Sequence, residues 1–257
     1  MNIIISKTAA DLGKQAAAFA AQKLREAIAA NGEARLLLST GASQLTTIEP
    51  LLMEDVDWSK VTMFHLDEYV GLPETHIASF RKYLRERFIS KINLAAAHLV
   101  DGDAASIAAL TEALRACPVD VGLIGIGENA HIAFNDPPAN FDTTEAYIIV
   151  NLDEACKRQQ VGEGWFATLD DVPKQAVSMT CYQIMQCRTI LSCVPFAVKA
   201  NAVRDTLQSP LANSVPATLL KTHRDWHLYI DAESASKIER DKIDTLGFDG
   251  GFAITEA

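Results

Sequence analysis

The stretch V-D-V-G-L-I-G-I at residues 119–126 is an apolar run interrupted only by Asp120 and two glycines. A short run of this kind is typical of a central parallel strand, which helices bury on both faces. Similar apolar runs lie at residues 35–39, 61–66 and 188–194. The segments between them have helical patterns, and strands that alternate with helices predict an α/β fold with a mostly parallel sheet.

The composition is that of an ordinary globular protein. Of the 257 residues, 49% are hydrophobic and 22% are charged, and the formal net charge is −10. A net negative charge argues against a nucleic-acid-binding protein, because such proteins rely on an excess of Lys and Arg. No internal repeat and no linker rich in Pro, Gly or Ser interrupts the chain, so we expect a single domain over residues 1–257.

The sequence also bears on location and assembly. The apolar runs are too short to cross a membrane, and residues 1–7 lack the flanking features of a secretory signal. The five cysteines form no C-x-x-C pair, so we expect reduced thiols and a cytoplasmic protein. No metal site is expected, because His223 and His227 lack the glutamate of an H-E-x-x-H motif. Whether copies of the chain form a homo-oligomer is left open.

In open α/β sheets, ligands bind on the loops beyond the carboxyl ends of the strands, and three such loops carry polar clusters here. The first reads S-T-G-A-S at residues 39–43. The small residues Gly41 and Ala42 let backbone N–H groups approach an anion at a helix N-terminus, and Thr40 and Ser43 add hydroxyl donors. The loop is a candidate phosphate cradle without the Lys of a P-loop NTPase. A plain turn capped by Ser43 is the alternative.

The second loop contains two adjacent carboxylates, Asp67 and Glu68, at the end of a predicted buried strand. A partly desolvated carboxylate at this place can act as a general base towards a carbon-bound proton. Because side chains alternate along an extended chain, we expect only one of the two to face a ligand. The alternative is a solvated acidic turn or a helix cap.

The third loop reads G-I-G-E-N-A-H-I-A-F-N-D-P-P at residues 125–138. Its first six residues match the G-x-G-x-x-G/A fingerprint of dinucleotide-binding proteins. That fingerprint requires a helix to follow, whereas Pro137 and Pro138 would end a helix within two turns. The sequence therefore argues against a dinucleotide-binding site.

The same loop gathers polar side chains, namely Glu128, Asn129, His131, Asn135 and Asp136. A histidine beside carboxylates forms a general acid/base with an orienting partner. If this segment forms a short helical turn, His131 and Asn135 share a face and Asp136 lies near it. A histidine satisfied by a backbone group is the alternative.

Together, the three loops resemble the glucosamine-6-phosphate deaminase (isomerase) family, which is related to the 6-phosphogluconolactonases. The most specific matches are D-E-Y-V-G-L at residues 67–72 and G-I-G-x-x-x-H-I-A-F-N at residues 125–135, and T-G-x-S and V-P-K-Q-A occur in the same order. The resemblance covers about residues 36–199. It implies a Rossmann-like three-layer sandwich with a mostly parallel central sheet and a sugar-phosphate substrate.

The resemblance also implies a reaction. The loop at residues 40–43 would hold the substrate phosphate, with Lys199 as a cationic partner. His131 matches the family's acid/base that opens the sugar ring. Asp67 matches the base that moves a proton from C2 to C1, and the resulting imine would release ammonia and a ketose phosphate. No cofactor is implied, because a histidine and a carboxylate suffice.

The chain departs from the deaminase pattern at several positions. The deaminases usually have Asp-Gly before the histidine, whereas Asn129-Ala130 stands here, and Asp136 replaces their Glu. An Asn cannot stabilise a charged imidazole as a carboxylate does, so Glu128 or Asp136 would have to compensate. The Gly-Gly-Thr-Pro of the family's phosphate loop is also changed, to Gly-Ala-Ser-Gln.

The cation that would assist Lys199 is not settled by the pattern, and Arg158 and Lys221 are the candidates. Gluco and galacto substrates are not distinguished either. Two other functions stay open on the same scaffold. One is lactone hydrolysis of the 6-phosphogluconolactonase type, and the other is a sugar-phosphate sensor that binds without turnover.

Overall fold

The computed structural model describes residues 1–152, 154–162, 164–244 and 252–256. The strands in these ranges are β1 (Asn2–Ser6), β2 (Ala34–Leu38), β3 (Val61–His65), β4 (Asp67–Tyr69), β5 (Ala96–His98), β6 (Val121–Leu123), β7 (Tyr147–Asn151), β8 (Gln175–Met179), β9 (Thr189–Val194), β10 (Trp226–Asp231) and β11 (Ala253–Glu256). The α-helices are α1 (Ala9–Asn31), α2 (Ala42–Leu51), α3 (Phe80–Arg87), α4 (Ala104–Arg115), α5 (Glu154–Gly162), α6 (Cys181–Ile184) and α7 (Ala200–Gln208).

The larger sheet has, within the described residues, eight strands in the order β11-β1-β10-β9-β6-β2-β3-β5. Every neighbouring pair is parallel, which confirms the predicted α/β class. The apolar run at residues 119–126 supplies β6, which lies between β9 and β2 as predicted for a central strand. Only Val121–Leu123 pair as a strand, because the chain then turns into the glycine-containing loop beyond the sheet.

Alternate residues of the central strands face two different cores. Leu36 and Leu38 of β2 belong to a cluster that includes Leu12 of α1. Leu37 faces the other way and belongs to a cluster that includes Leu110 of α4. Helices therefore cover both faces of the sheet, and the predicted three-layer sandwich is confirmed.

A second sheet, antiparallel and in the order β4-β8-β7, is not predicted by the sequence pattern. Leu66 joins the two sheets, because its N–H donates to Leu38 O (3.2 Å) and its carbonyl accepts from Met179 N (3.0 Å). The next residue, Asp67, begins β4 opposite Ser178. The crossing from one sheet to the other places Asp67 at the carboxyl end of the parallel strands.

The sequence predicts a helix that follows Thr8 and stops at Asn31-Gly32, and another over residues 79–88, and both helices are present. The Thr8 hydroxyl accepts a hydrogen bond from the backbone N–H of Asp11 (3.1 Å), and Gly32, with φ of +80°, ends the same helix α1. The Ser79 hydroxyl caps α3 by accepting from the N–H of Lys82 (3.3 Å). These caps set the ends of the helices that flank the loops described below.

The sequence pattern predicts a helix over residues 196–207 after Pro195, and the structure interrupts this helix at its start. A 3-10 turn occupies Ala197–Lys199, and α7 follows it. The sequence pattern also predicts a short helix from Ala232, and this prediction is wrong, since the segment consists of turns. The chain turns at the end of β10, where the Asp231 carboxylate accepts a hydrogen bond from the Ser234 N–H (2.8 Å).

The tail after Leu246 is predicted to be irregular, and residues 245–251 lie outside the described residues. Ala253–Glu256, however, form the edge strand β11 through parallel pairing with β1, so that part of the prediction is wrong. The cysteines all lie in the described residues, and none forms a disulfide. Within the same ranges no helix combines the length and apolarity needed to span a membrane.

Candidate active site

A cavity of about 440 Å³ opens at the carboxyl ends of the parallel strands, where the three predicted loops converge. The structure brings most of the predicted site residues to its wall, namely Thr40, Gly41, Ala42, Ser43, Asp67, Glu128, His131 and Lys199.

The loop after β2 forms one end of the cavity. Gly41 lies at the N-cap of α2 with φ of +113°, a backbone conformation that a side chain would strain. Its carbonyl accepts a hydrogen bond from the Tyr83 hydroxyl (2.9 Å), which holds the loop against α3. No side chain caps the helix, so the alternative of a turn capped by Ser43 is wrong. The open helix N-terminus suits an anion.

A hydrogen bond couples this loop to the third one. The Ser39 hydroxyl donates to Leu123 O (2.8 Å) and accepts from the N–H of Gly125 (3.2 Å). Both hydrogen bonds are formed by a side chain that is only 5% exposed. The Ser39 hydroxyl therefore links the first loop to the third where both line the cavity.

Lys199 reaches the same cavity from the 3-10 turn that precedes α7. The turn is anchored at Phe196, which has φ of +82° and whose N–H donates to both carboxylate oxygens of Asp231 (3.2 and 3.1 Å). The cation thus lies on a braced segment and lines the same cavity as the open N-terminus of α2, and both features favour a bound anion.

Asp67 is the buried carboxylate of the site. Its side chain lines the cavity while the residue is only 6% exposed. Burial raises the pKa of the Asp67 carboxyl to about 8, and the nearby charge of Glu68 adds to the rise. A carboxylate with a raised pKa in a cleft has the properties of a general base.

Glu68 points away from the cavity and performs a different task. It is fully buried, and its carboxylate accepts hydrogen bonds from the Ser79 hydroxyl (2.8 Å), from the Arg81 N–H (2.9 Å) and from Arg81 Nε (3.1 Å). The two adjacent carboxylates lie on opposite sides of the chain, as alternation predicts. Glu68 therefore anchors the segment that carries Ala78 and Phe80 into the cavity wall.

His131 faces Asp136 across the third loop. Its Nδ1 lies 3.0 Å from Asp136 Oδ1, a distance at which the two groups form an ion pair when the imidazole is protonated. Burial raises the pKa of the Asp136 carboxyl, but the neighbouring His131 and the amide of Asn129 outweigh burial and lower that pKa below its usual value. The ring lies directly over Gly127, where a methyl group would overlap the imidazole. His131 is thus seated by a glycine and paired with a carboxylate.

Asn129 acts on this pair from one side. Its amide donates to Asp136 Oδ1 (3.0 Å), and its carbonyl oxygen accepts from the backbone N–H of His131 (3.2 Å). Asn129 therefore orients the carboxylate and the backbone, while Asp136 faces the imidazole. Glu128 lines the cavity and is exposed.

The helical turn considered for this loop is wrong. The chain forms a reverse turn in which the Asn135 N–H donates to Ile132 O (3.1 Å), and Ala133 has φ of +51°. Asn135 is buried, and its amide donates to Met179 O (2.8 Å). The residue ties the loop to β8 and does not share a face with His131.

Comparisons with known proteins show the family of the chain. Residues 7–229 match the family model described as glucosamine-6-phosphate isomerases/6-phosphogluconolactonase. The chain belongs to this family. It is 33% identical to the glucosamine-6-phosphate deaminase of Streptococcus uberis over 220 residues, which cover 84% of this chain and 92% of that protein. It is 31% identical to the glucosamine-6-phosphate deaminase of Lactobacillus delbrueckii subsp. bulgaricus over 245 residues, which cover 93% of this chain and 100% of that protein.

Solved structures of the family have the same fold. A monomeric glucosamine-6-phosphate deaminase superposes with a TM-score of 0.84 at 29% identity, over 92% of this chain and 100% of that one. A 6-phosphogluconolactonase from Thermotoga maritima superposes with a TM-score of 0.72 at 14% identity, over 90% of this chain and 99% of that one. At so low an identity the likeness shows the fold alone. The resemblance to a deaminase-like enzyme, predicted from the three loops, is confirmed.

Within this family site, two predicted cations are not brought to the cavity. Arg158 is exposed on α5 and pairs with Glu154 (2.9 Å), four residues away in the same helix. Lys221 is buried and donates to the Asp244 carboxylate (2.6 Å). Both have local structural partners, and of the predicted cations only Lys199 lines the cavity.

The apolar part of the cavity is not predicted by the sequence pattern. The additional lining residues come from the start of α3 and the segment before it, from the third loop and from the region of α5, and include Ile77, Phe80, Phe134, Cys156, Gln160 and Trp165. Short helices with few apolar positions, such as α5, have no clear periodic signal, and nothing in the sequence pattern points these side chains inward. Among the described residues, no group of three or more His, Cys, Asp or Glu side chains could hold a metal ion.

Proposed function

We propose that the protein is an amino-sugar-phosphate deaminase/isomerase that converts glucosamine 6-phosphate, or its galacto isomer, to the ketose 6-phosphate and ammonia. One observation carries the proposal. A buried carboxylate, Asp67, and a carboxylate-paired histidine, His131, line the same cavity as an open helix N-terminus and Lys199. The relatives named as glucosamine-6-phosphate deaminases support the choice of substrate.

The substrate phosphate would lie at the N-terminus of α2. Backbone N–H groups of Gly41, Ala42 and Ser43 and the hydroxyl of Thr40 offer donors there, and Lys199 offers the charge. This local group of donors explains how a chain with a net charge of −10 can hold an anion. The phosphate then orients the sugar towards the two catalytic side chains.

Ring opening comes first in the proposed reaction. The imidazole of His131 transfers a proton between the anomeric hydroxyl and the ring oxygen, so that the C1–O5 bond breaks and a C1 aldehyde forms. Asp136 stabilises the imidazolium that exists during this transfer. Ring opening needs no further acid, since the His131 imidazole both accepts the proton and returns it.

Proton transfer between carbons follows. Asp67 takes the C2 proton of the open-chain amino aldehyde, which gives an enolamine, and returns it at C1. Carbon 2 is then an imine, and the addition of water with loss of ammonia gives the ketose phosphate. The raised pKa of Asp67 fits this cycle, because a weakly acidic carboxyl is a stronger base once deprotonated. The substrate ammonium group would favour the deprotonated form on binding.

The test is turnover by the purified protein. We expect glucosamine 6-phosphate or galactosamine 6-phosphate to yield ammonia and ketose 6-phosphate in equal amounts, with 6-phosphogluconolactone as the comparison substrate. Hydrolysis of the lactone without turnover of either amino sugar would replace the proposal by lactonase chemistry. Binding of the sugar phosphates without turnover, measured by calorimetry, would show a sensor and contradict the proposal.

A further inference from the structure

Gln44 is a buried polar residue in the first turn of α2. It is 1% exposed and lines the cavity. Its backbone N–H donates to Gly41 O (3.1 Å) and closes the turn at the helix N-terminus. The side chain of Gln44 therefore starts from the turn at which the substrate phosphate is proposed to bind.

The side-chain amide of Gln44 bridges α2 and the parallel sheet. Its Nε2 donates to Cys193 O near the end of β9 (3.2 Å). Carbonyls two residues apart on a strand point to the same neighbour, and Leu191 O accepts from the N–H of Ile124, directly after β6 (2.9 Å). The last paired residue of β6 is Leu123, so β6 has left the sheet at the level of Cys193. The Gln44 amide thus takes the place of a hydrogen bond between strands.

The same amide contacts both of the loops that flank the cavity here. It donates to Ser43 Oγ (3.4 Å), and because the hydroxyl accepts there, it keeps its own proton for donation to an anion. It also lies against Gly125, where an added methyl group would approach Nε2 to 3.1 Å. Gly125 has no positive φ, so this close approach, rather than a left-handed turn, is what a side chain would disturb.

We propose that Gln44 is a positioning residue whose side-chain amide holds the N-terminus of α2 and the Ser43 hydroxyl in the geometry that binds the substrate phosphate. The inference rests on the proposed function and adds to it a residue that acts through its neighbours. The Gly-Gly-Thr-Pro pattern of the deaminases has Pro where Gln44 stands, and a proline side chain has no donor. The bridge from α2 to β9 therefore depends on this chain's own residue.

Binding of inorganic phosphate to the whole protein, followed by ³¹P NMR, tests this role. Gln44→Met keeps a side chain of similar length without the amide, so we expect the dissociation constant to rise about tenfold, because the released turn must be ordered on binding. Gln44→Glu also adds a negative charge near the anion, so the rise should be larger. The matched controls are Gln22→Met and Gln22→Glu, which should leave the affinity unchanged. Gln22 is exposed on α1, and its amide donates to Glu26 outside the cavity (2.8 Å).

Gly125→Ala tests the bridge from its other side. The added methyl group should displace the Gln44 amide and weaken phosphate binding, whereas in a Gln44→Ala background it should have little further effect. Additive losses from the two substitutions would contradict the bridge.

Kinetics distinguish positioning from a general loss of stability. We expect KM for glucosamine 6-phosphate to rise about tenfold in Gln44→Met while kcat changes less than about threefold, since Asp67 and His131 are unchanged. Unaltered phosphate affinity in both Gln44 variants, no phosphate binding by the original protein, or a loss confined to kcat overturns the proposal. Phosphate binding needs no turnover. Binding that depends on Gln44 in a protein that does not deaminate amino sugars would therefore contradict the proposed function alone.

Discussion

Asp67 is the residue at which function and stability oppose each other. Its folded-state pKa is raised from 3.8 to about 8, so between these values the folded state binds one more proton than the unfolded state. Linkage then lowers the free energy of unfolding as pH rises across this window, by about 1.4 kcal/mol per pH unit. The stabilisation is fully present below pH 4 and is lost by pH 8. The deprotonated form of Asp67, which the reaction needs, is therefore the form that the fold disfavours.

We predict that Asp67→Asn abolishes turnover and stabilises the protein in a pH-dependent way. An amide cannot take the C2 proton, so kcat should fall at least about a hundredfold. It also removes the titration, so the gain in stability over the original protein should grow by up to about 4 kcal/mol between pH 5 and pH 8. Urea denaturation at the two pH values measures it. The exposed Asp142 supplies the control Asp142→Asn; an equal gain at both pH values would contradict the assignment.

Gly127 seats the imidazole of His131, because a methyl group at this position would overlap the ring atoms. We predict that Gly127→Ala displaces the ring and lowers kcat/KM about a hundredfold, since a shift of about 1 Å in a reacting group has such an effect. The matched control is Gly162→Ala on α5, where nothing lies within 4 Å of the added methyl. Steady-state kinetics measure both variants, and similar activities would show that the close approach is unimportant.

At the scale of elements, the Glu68–Arg81 pair holds the start of α3 and the wall of the cavity. Glu68 is fully buried and Arg81 is 12% exposed, with 3.1 Å between Nε and Oε2. Breaking a buried pair leaves one charge without its partner and costs about 3 kcal/mol or more. We therefore predict that Glu68→Gln lowers the free energy of unfolding by that amount.

The same helix offers the control for this prediction. Glu86 pairs with Lys82 at 2.6 Å, but both side chains are solvated, at 58% and 33% exposure. Glu86→Gln should cost no more than about 0.5 kcal/mol. Urea denaturation of the two variants compares the pairs directly. Equal losses would mean that burial does not decide the strength of the pair, and that the wall of the cavity is held in another way.

At the scale of the whole molecule, the two sheets share one core. Tyr147 and Val177 of the small sheet and Phe64 and Ile124 of the parallel sheet region belong to one cluster of buried side chains. We therefore propose that residues 1–257 form a single domain and predict one cooperative thermal transition, with an unfolding enthalpy of about 180 kcal/mol near 60 °C. Calorimetry tests it, and two separate transitions would divide the chain into two domains.

The parallel sheet was predictable from sequence because its strands are apolar runs bounded by helical patterns. The apolar run at residues 119–126 predicts a buried strand without knowledge of any other part of the chain. The strands β4 and β11 escaped prediction because short strands with mixed polarity have no period of their own. Asp67–Tyr69 becomes a strand only through pairing with β8.

The sequence by itself determined the three loops and the residue types on them, since these depend on local order along the chain. Asp67, His131 and the small residues after β2 could be named for that reason. Tertiary structure decided which partners these side chains meet. In the folded chain Asp136 lies beside His131, and Glu68 forms a buried ion pair with Arg81. Lys199 lines the cavity, whereas Arg158 and Lys221 form ion pairs outside it. The protonation of these side chains depends on their burial and on their distances to charged groups from other strands and loops. Burial and such distances cannot be read from neighbouring positions in the chain.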